Sequence, residues 1–447
     1  KVMEKQIKGS PPVNLVFAIP DHPWISGEEA ANVRIAMTVG AVSDKEGTLQ
    51  TVVSEEQSTG LHWDVELTTR TGNILPDLTI GADVAGTEAL EANEDLANRG
   101  VCLFGKGFEV SPQRARELGL GEVDKLEKHI RHYRNGRDLT RQSRGVMVID
   151  LYGLEKEEVR EKFPAVYQHV KEHVKPERDE NNREWRREHW WLFGEPNPKL
   201  RDMLAGLDRF IATPETSKHR FFQFLSTEIL PDNALVNIAL DDAYYLGVLS
   251  SRIHVAWALS AGGMLGPTPR YFKTQCFEPF PFPDATESQT KRIRELGERL
   301  DRHRKARLDQ HDSLTMTDLY NVLDKERGGE SLDKAEREIH EQGLVGVLKE
   351  IHDDLDAAVA AAYGWPAGLP EEEILQKLVD LNAERRAEEE QGHVRYLRPA
   401  YQAPETIEQQ AALDLDVEIR ADGEVAQPLP WPTELKQRAQ ALRIVME

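Results

Sequence analysis

Two short apolar runs open the pattern. Residues 13–19 (VNLVFAI) and 33–42 (VRIAMTVGAV) are rich in Val, Ile and Phe and predict two buried strands. Between them, the prolines and Gly27 of PDHPWISGEEAAN predict a loop, with a short helical turn over Glu28 to Ala31. Two strands cannot make a stable domain. The pair therefore reads as the last strands of a sheet whose earlier strands are absent. Residues 50–85 mix shorter apolar stretches with turn signals and read as a connecting excursion. Residues 85–99 predict an acidic helix.

A second unit begins near Val101. VCLFGKGFEV predicts strand, glycine turn and strand, and Ser111 caps a helix whose first position is Pro112. GVMVIDLYG (145–153) predicts a strong strand ending in Asp150, and 155–176 predict a helix. FIATPETSKHRFFQFL (210–225) follows. Residues 234–240 then predict a strand, and 242–259 a helix that Asp241 or Asp242 caps. Gly262 to Pro283 reads as ordered loop. After PFPD the period becomes helical: 286–313 with Ile293, Leu296 and Leu300 on one stripe, then Thr317 to Val322, 332–363 and 371–390. The last fifty residues hold prolines, acids and a final helix, WPTELKQRAQALRIV.

Composition bounds the function. Eight tryptophans, thirteen phenylalanines and 39% hydrophobic residues exclude wholesale disorder. No apolar run approaches eighteen residues, so no membrane span is expected. Cys102 and Cys276, the two cysteines, match neither a metal spacing nor a disulfide framework and favour a reducing, cytoplasmic home. The formal charge of -22 argues against nucleic acid. However, the excess acid lies mainly in 321–390 and 401–430, and 131–220 is slightly basic.

The motif searches fail in an informative way. GKG at 105–107 lacks the spacing of a nucleotide-binding loop and reads as a turn. Asp150 has no Glu-x-Lys partner strand for a nuclease metal and reads as structural. No HExxH or GxSxG occurs among the fourteen histidines and the serines. Neither catalytic nor metal-ligating residues are assigned. What remains are basic residues beside aromatics. Arg134, Asn135, Arg137 and Asp138 precede a strand, and Arg183, Arg186 and Arg187 flank Trp185, Trp190 and Trp191. Lys218, His219 and Arg220 precede Phe221 and Phe222, Arg252 and His254 share a helix, and Arg270 adjoins Tyr271. Arginine reads guanine bidentately and holds phosphates. Equally, these tryptophans suit a core on which the arginines stack or pair with Glu184 and Glu188.

The order of these segments resembles the downstream part of the MmeI-like enzymes, which combine an adenine-N6 DNA methyltransferase, usually a nuclease, and one target recognition domain. VFAIPDHPW and VRIAMTVG resemble strands after the catalytic loop of the methyltransferase. GVCLFGKGFEVSP and HYRNGRDL with VMVIDLYG resemble the linker into the recognition domain. FIATPETSKHRFFQFL, DDAYYLGVLSSRIHVAWA and YFKTQCFEPFPFP resemble that domain itself. LVDLNAERR and GHVRYLRPAYQAP resemble the closing helices and tail. The resemblance runs from residue 13 to about residue 404.

It implies an α+β chain in four parts. Residues 1–85 would be the remnant of a Rossmann-like methyltransferase sheet, 86–283 a mixed α/β target recognition domain, 284–392 a helical C-terminal module and 393–447 a tail. The parent enzyme would transfer a methyl group from S-adenosylmethionine to an adenine turned out of the duplex. Pro11 and Pro12 follow Ser10, with Val13 where the family's catalytic loop has an aromatic, and no glycine-rich donor site is present. The chain is thus expected to bind no cofactor and to lack a catalytic centre, the rest lying in an absent N-terminal part or subunit. Its partner is double-stranded DNA, with Arg137, Lys218, Arg220, Arg252 and Arg270 as contacts and His22 and Trp24 at the edge of the catalytic domain. Alanine at Arg220 or Arg252 is expected to alter binding without unfolding the chain. The rival reading is an acidic protein-interaction or DNA-mimic subunit.

Overall fold

The computed structural model describes residues 13–24, 33–42, 45–57, 63–76 and 78–404. The expected turn over Glu28 to Ala31, the Ser10–Pro12 segment and the final helix lie outside them. The first sheet holds β1 (Asn14–Trp24), β2 (Val33–Ala41), β3 (Gly47–Gln57) and β4 (Trp63–Gly72) in the order β2-β1-β3-β4. β1 pairs antiparallel with β2 and parallel with β3. Leu15, Ala18, Leu49, Ile74 and Leu78 form its small core. Two expectations are corrected. β2 is an edge strand, with Val39 51% exposed, and only β1 is buried. The connecting excursion is instead a long antiparallel hairpin, β3–β4.

Two further sheets build the middle of the chain. One runs β10 (Gln223–Ser226), β9 (Arg209–Pro214), β12 (Leu235–Ile238), β5 (Ala97–Arg99), all antiparallel. The other runs β11 (Ile229–Pro231), β7 (Ile130–Arg134), β8 (Met147–Ile149), β6 (Glu109–Val110), with β11 parallel to β7. Phe210, Ile211 and Ala212 are all buried on consecutive positions, so β9 is covered on both faces. A hairpin, β13 (Gly263–Leu265) with β14 (Thr268–Arg270), lies in the segment read as loop.

The acidic helix over 85–99 does not form. Two 3-10 turns and β5 replace it, because buried Asn93 Nδ2 donates to the carbonyls of Phe277, Glu278 and Phe280 at 3.0, 3.0 and 2.8 Å. The helix over 155–176 is broken at Phe163 before Pro164, as proline disfavours helical backbone in the residue ahead of it. The helix over 242–259 breaks at Ser251 into Ala243–Ser250 and Arg252–Ala261; Asp242 caps the first half through the Tyr244 amide, 2.9 Å. Ser111 caps Pro112–Glu117 as expected.

Five helices follow: Glu287–Gln310, Met316–Gly328, Lys334–Gly343, Val345–Ala362 and Glu371–Glu390. Their apolar stripes do not form a separate core. Leu296, Leu319, Leu348 and Leu378 pack in one cluster with Phe210, Phe221, Leu235 and Trp257. The last of these helices is clamped to the chain ahead of β5: Glu389 accepts from the amides of Glu91 and Ala92, both at 2.9 Å. The mixed sheets and the helical C-terminal part make the α+β architecture expected. No described helix is long and apolar enough to cross a membrane. Beyond Leu397, the described residues contain one short helix, Pro399–Gln402.

Candidate nucleic-acid interface

An open cleft of about 630 Å³ lies where β5, the start of the helix Gly136–Thr140 and the end of β9 meet. Asn135 shapes one wall. Its side chain caps that helix by accepting from the Arg137 and Asp138 amides, 2.9 and 3.1 Å, and Asp138 accepts in turn from the Asn135 amide at 3.0 Å. This capping box turns Arg137 and Arg141 outward at the cleft. Both are exposed, and among the described residues neither guanidinium has a side-chain partner. Buried Asp138 is itself neutralised by Arg144, 2.9 Å, which holds its carboxyl below the usual range despite burial.

The opposite wall is Glu215–Thr216. Glu215 is 8% exposed and carries two cations: Arg270 on Oε1 and Arg99, 3.5 Å, on Oε2. Arg270 also lies over the Phe272 ring, 4.7 Å from its centre. The Ser217 amide donates to Pro269 O at 3.2 Å and the Tyr271 amide to Glu215 O at 2.7 Å, which fixes β14 against this wall.

The segment continues into a second cavity of about 230 Å³, where Lys218, Arg220 and Arg252 meet the helices 316–328 and 345–362. The five candidate basic residues therefore fall into two groups joined by the chain 215–220. In the second group, the exposed Lys218 reaches Asn321 Oδ1 at 2.6 Å and the exposed Arg252 reaches Leu369 O at 2.9 Å. Arg220 differs. It is 7% exposed and donates to Thr213 Oγ1 and Pro214 O at 2.8 and 2.5 Å, and burial pushes its guanidinium down to about 10. Its hydrogen bonds fix the turn between β9 and β10.

The remaining basic and aromatic clusters are largely packed inward, although Trp185 is 42% exposed. Trp190 and Trp191 are buried. Arg186 stacks 3.6 Å over Phe104 and pairs with Glu195 at 3.1 Å, rather than with Glu184 or Glu188. Asp150 is buried in a bidentate pair with Arg201, 2.7 and 3.0 Å. His22 lies in β1 opposite Ile35, its Nδ1 2.7 Å from Pro23 O, and Trp24 ends the same strand opposite Val33. Both belong to the first sheet, and His22 lines neither cavity. Among the described residues no three His, Cys, Asp or Glu side chains gather as metal ligands would.

Sequence reasoning missed Arg99, Arg141, Thr216 and Asn233, all at the first cleft. Arg99 and Asn233 come together because β5 pairs with β12 across more than a hundred residues, and the Arg99 Nε–Asn233 O bond, 3.0 Å, closes that corner. No local signal marks such a pairing. Arg141 did carry one, standing four residues after Arg137 and so one helical turn further along the same face.

Residues 105–284 match the model of the MmeI target recognition domain. DNA methyltransferase A of Bacillus subtilis (strain 168) is 26% identical over 191 residues, 42% of this chain and 19% of that protein. The solved structure of the Type IIL restriction-modification enzyme MmeI in complex with DNA is similar in fold, with a TM-score of 0.62 and 18% identity. That match covers 84% of this chain and 46% of the other. The chain thus spans less than half the length of either relative.

Proposed function

We propose that this chain, whose residues 105–284 match the model of the MmeI target recognition domain, reads one short sequence in double-stranded DNA for an adenine-N6 methyltransferase or restriction-modification enzyme. The observation that carries the reading is the pair Arg137 and Arg141. They are exposed cations without side-chain partners among the described residues, set by a capped helix at the mouth of a cleft whose lining, Arg99 apart, lies within the matched residues. Unpaired guanidiniums keep all their donors for phosphates or for the O6 and N7 of guanine. The opposite wall supplies Glu215, whose carboxylate accepts rather than donates. It suits the cytosine amino group once Arg99 or Arg270 turns to a phosphate.

Lys218 and Arg252 serve as phosphate contacts from the rim of the second cavity, where each is exposed and its side chain donates to a neutral oxygen. Arg270 takes its place through Glu215, and Arg220 holds the segment that joins the two groups. The first sheet, with His22 and Trp24, is the edge of the catalytic domain.

In the parent enzyme the methyl donor is S-adenosylmethionine. The described residues do not fit it. A donor site needs a strand passing through a glycine turn into a helix, whereas the first sheet is joined by antiparallel hairpins around a single parallel pairing. No chemical step is therefore assigned to this chain. Selection from a random-sequence duplex pool, followed by gel shifts with Arg137→Ala and Arg141→Ala, tests the reading. Enrichment of one short motif, bound more weakly by both variants, supports it. Absence of any enriched motif overturns it.

A further inference from the structure

The hairpin β13–β14 presents an apolar tip. Met264 is 60% and Leu265 58% exposed, and Leu259 on the helix just before them is 47% exposed. Successive residues of a strand face opposite sides. With both neighbours exposed, neither face of the hairpin is covered at its tip, so the tip projects from the body.

Its base, by contrast, is fixed. Arg270 is ion-paired to Glu215, and Thr216 bridges Arg270. Tyr271 is 1% exposed, and a side chain at Gly263 would meet the Phe272 ring at 2.7 Å. The turn is the two residues Gly266-Pro267 between the paired Leu265 and Thr268. Gly266 has φ +57°, the left-handed value a tight hairpin asks of its first turn residue, and proline fixes the second. A rigid apolar tip is thereby tied through Glu215 and Thr216 to the wall of the arginine cleft.

We propose that Met264 and Leu265 act as a wedge, entering the bound duplex beside the sequence read at the cleft and unstacking one base step. Apolar side chains of this size insert between base steps and bend the duplex, the unstacking being offset by the additional surface brought together. The cleft brings cations to the backbone, and the tip, fixed to the same segment, meets the bases next to it. The inference rests on the DNA-reading role proposed above.

The test uses the full chain and the duplex it selects from a random pool. Met264→Ala/Leu265→Ala is compared with wild type on the intact duplex and on versions carrying a mismatch at each successive step. Both side chains are exposed, so the double variant should melt like wild type. The expected result is a drop in affinity of about tenfold or more on the intact duplex, but about twofold or less on one mismatched duplex whose step is already unstacked. A 2-aminopurine placed at that step should brighten with wild type and not with the double variant. Equal drops on every duplex, or none on any, would overturn the wedge. If wild type selects no duplex at all, the DNA-reading role itself fails, an outcome distinct from failure of the wedge alone.

Discussion

Arg220 and Thr213 form one step of a buried relay. Arg220 Nη1 donates to Thr213 Oγ1 at 2.8 Å, and that hydroxyl donates to Phe221 O at 2.7 Å. Among the described residues no carboxylate pairs with this charge, which is spread over hydroxyl and carbonyl acceptors. Arg220→Ala would remove the donors to Thr213 Oγ1 and Pro214 O and leave a void over the Tyr271 ring. Unfolding in urea should show a loss of about 2–4 kcal/mol. This revises the expectation that the substitution acts on binding alone. An unchanged urea midpoint would refute the revision.

Arg137→Ala and Arg141→Ala should behave in the opposite way. Both side chains are exposed and without side-chain partners among the described residues, so stability should stay within about 0.5 kcal/mol of wild type. Duplex affinity should fall, and the slope of log K against log salt should shrink by about 1 for each phosphate that the variant no longer neutralises. Equilibrium titration at three salt concentrations measures both.

His254 gives the chain an acid sensitivity. It is fully buried, its Nε2 is 3.1 Å from the Tyr271 hydroxyl, and Nδ1 has no partner. Burial pushes the imidazole down to about 3, against 6.5 in the unfolded chain. Between those values the unfolded state binds the proton and the folded state does not, so stability falls as pH drops below 6.5. The slope for this one group is about 1.4 kcal/mol per pH unit. Buried His352 acts in the same direction, whereas Asp356, pushed up to about 6 by burial, acts in the opposite one. Comparing His254→Gln with wild type at pH 7 and pH 5 isolates the contribution. The variant should lose less on acidification, and parallel losses would count against the assignment.

Gly297 sets the approach of the helices Ala243–Ser250 and Glu287–Gln310. A Cβ there would stand 2.3 Å from Ala243 O, a backbone atom that cannot swing aside. Gly297→Ala gains helix propensity yet should still destabilise by about 1–3 kcal/mol, the cost of overpacking. Thermal unfolding of the variant decides between these effects: a raised melting temperature would mean that propensity wins.

The sequence showed most where local chemistry and burial agree. The apolar run at 234–240, the Ser111 and Asp242 caps and the Ile293–Leu296–Leu300 stripe all became the elements they suggested. The β3–β4 hairpin escaped because GTLQTVVSEEQ and WDVELTTRTG are largely Thr, Ser, Gln and Glu, with Leu49 among the few buried side chains. The helix expected at 85–99 lost to a tertiary partner, Asn93 with its three carbonyls. The candidate interface was half visible. Arg137 stood out by composition, but only the fold shows that Arg220 faces inward while Arg141 faces out. The two phenylalanines after Arg220, both buried, were the one local hint of its burial.

The central claim, that this chain reads DNA through the Arg137–Arg141 cleft, is tested most directly by fluorescence anisotropy with a labelled duplex carrying the selected motif. A scrambled duplex and the Arg137→Ala/Arg141→Ala variant are measured alongside. The expected result is tighter binding to the motif than to the scramble, a steep fall in affinity with added salt, and disappearance of both in the variant. Equal binding of motif and scramble by wild type, or a variant that keeps the full preference, would contradict it.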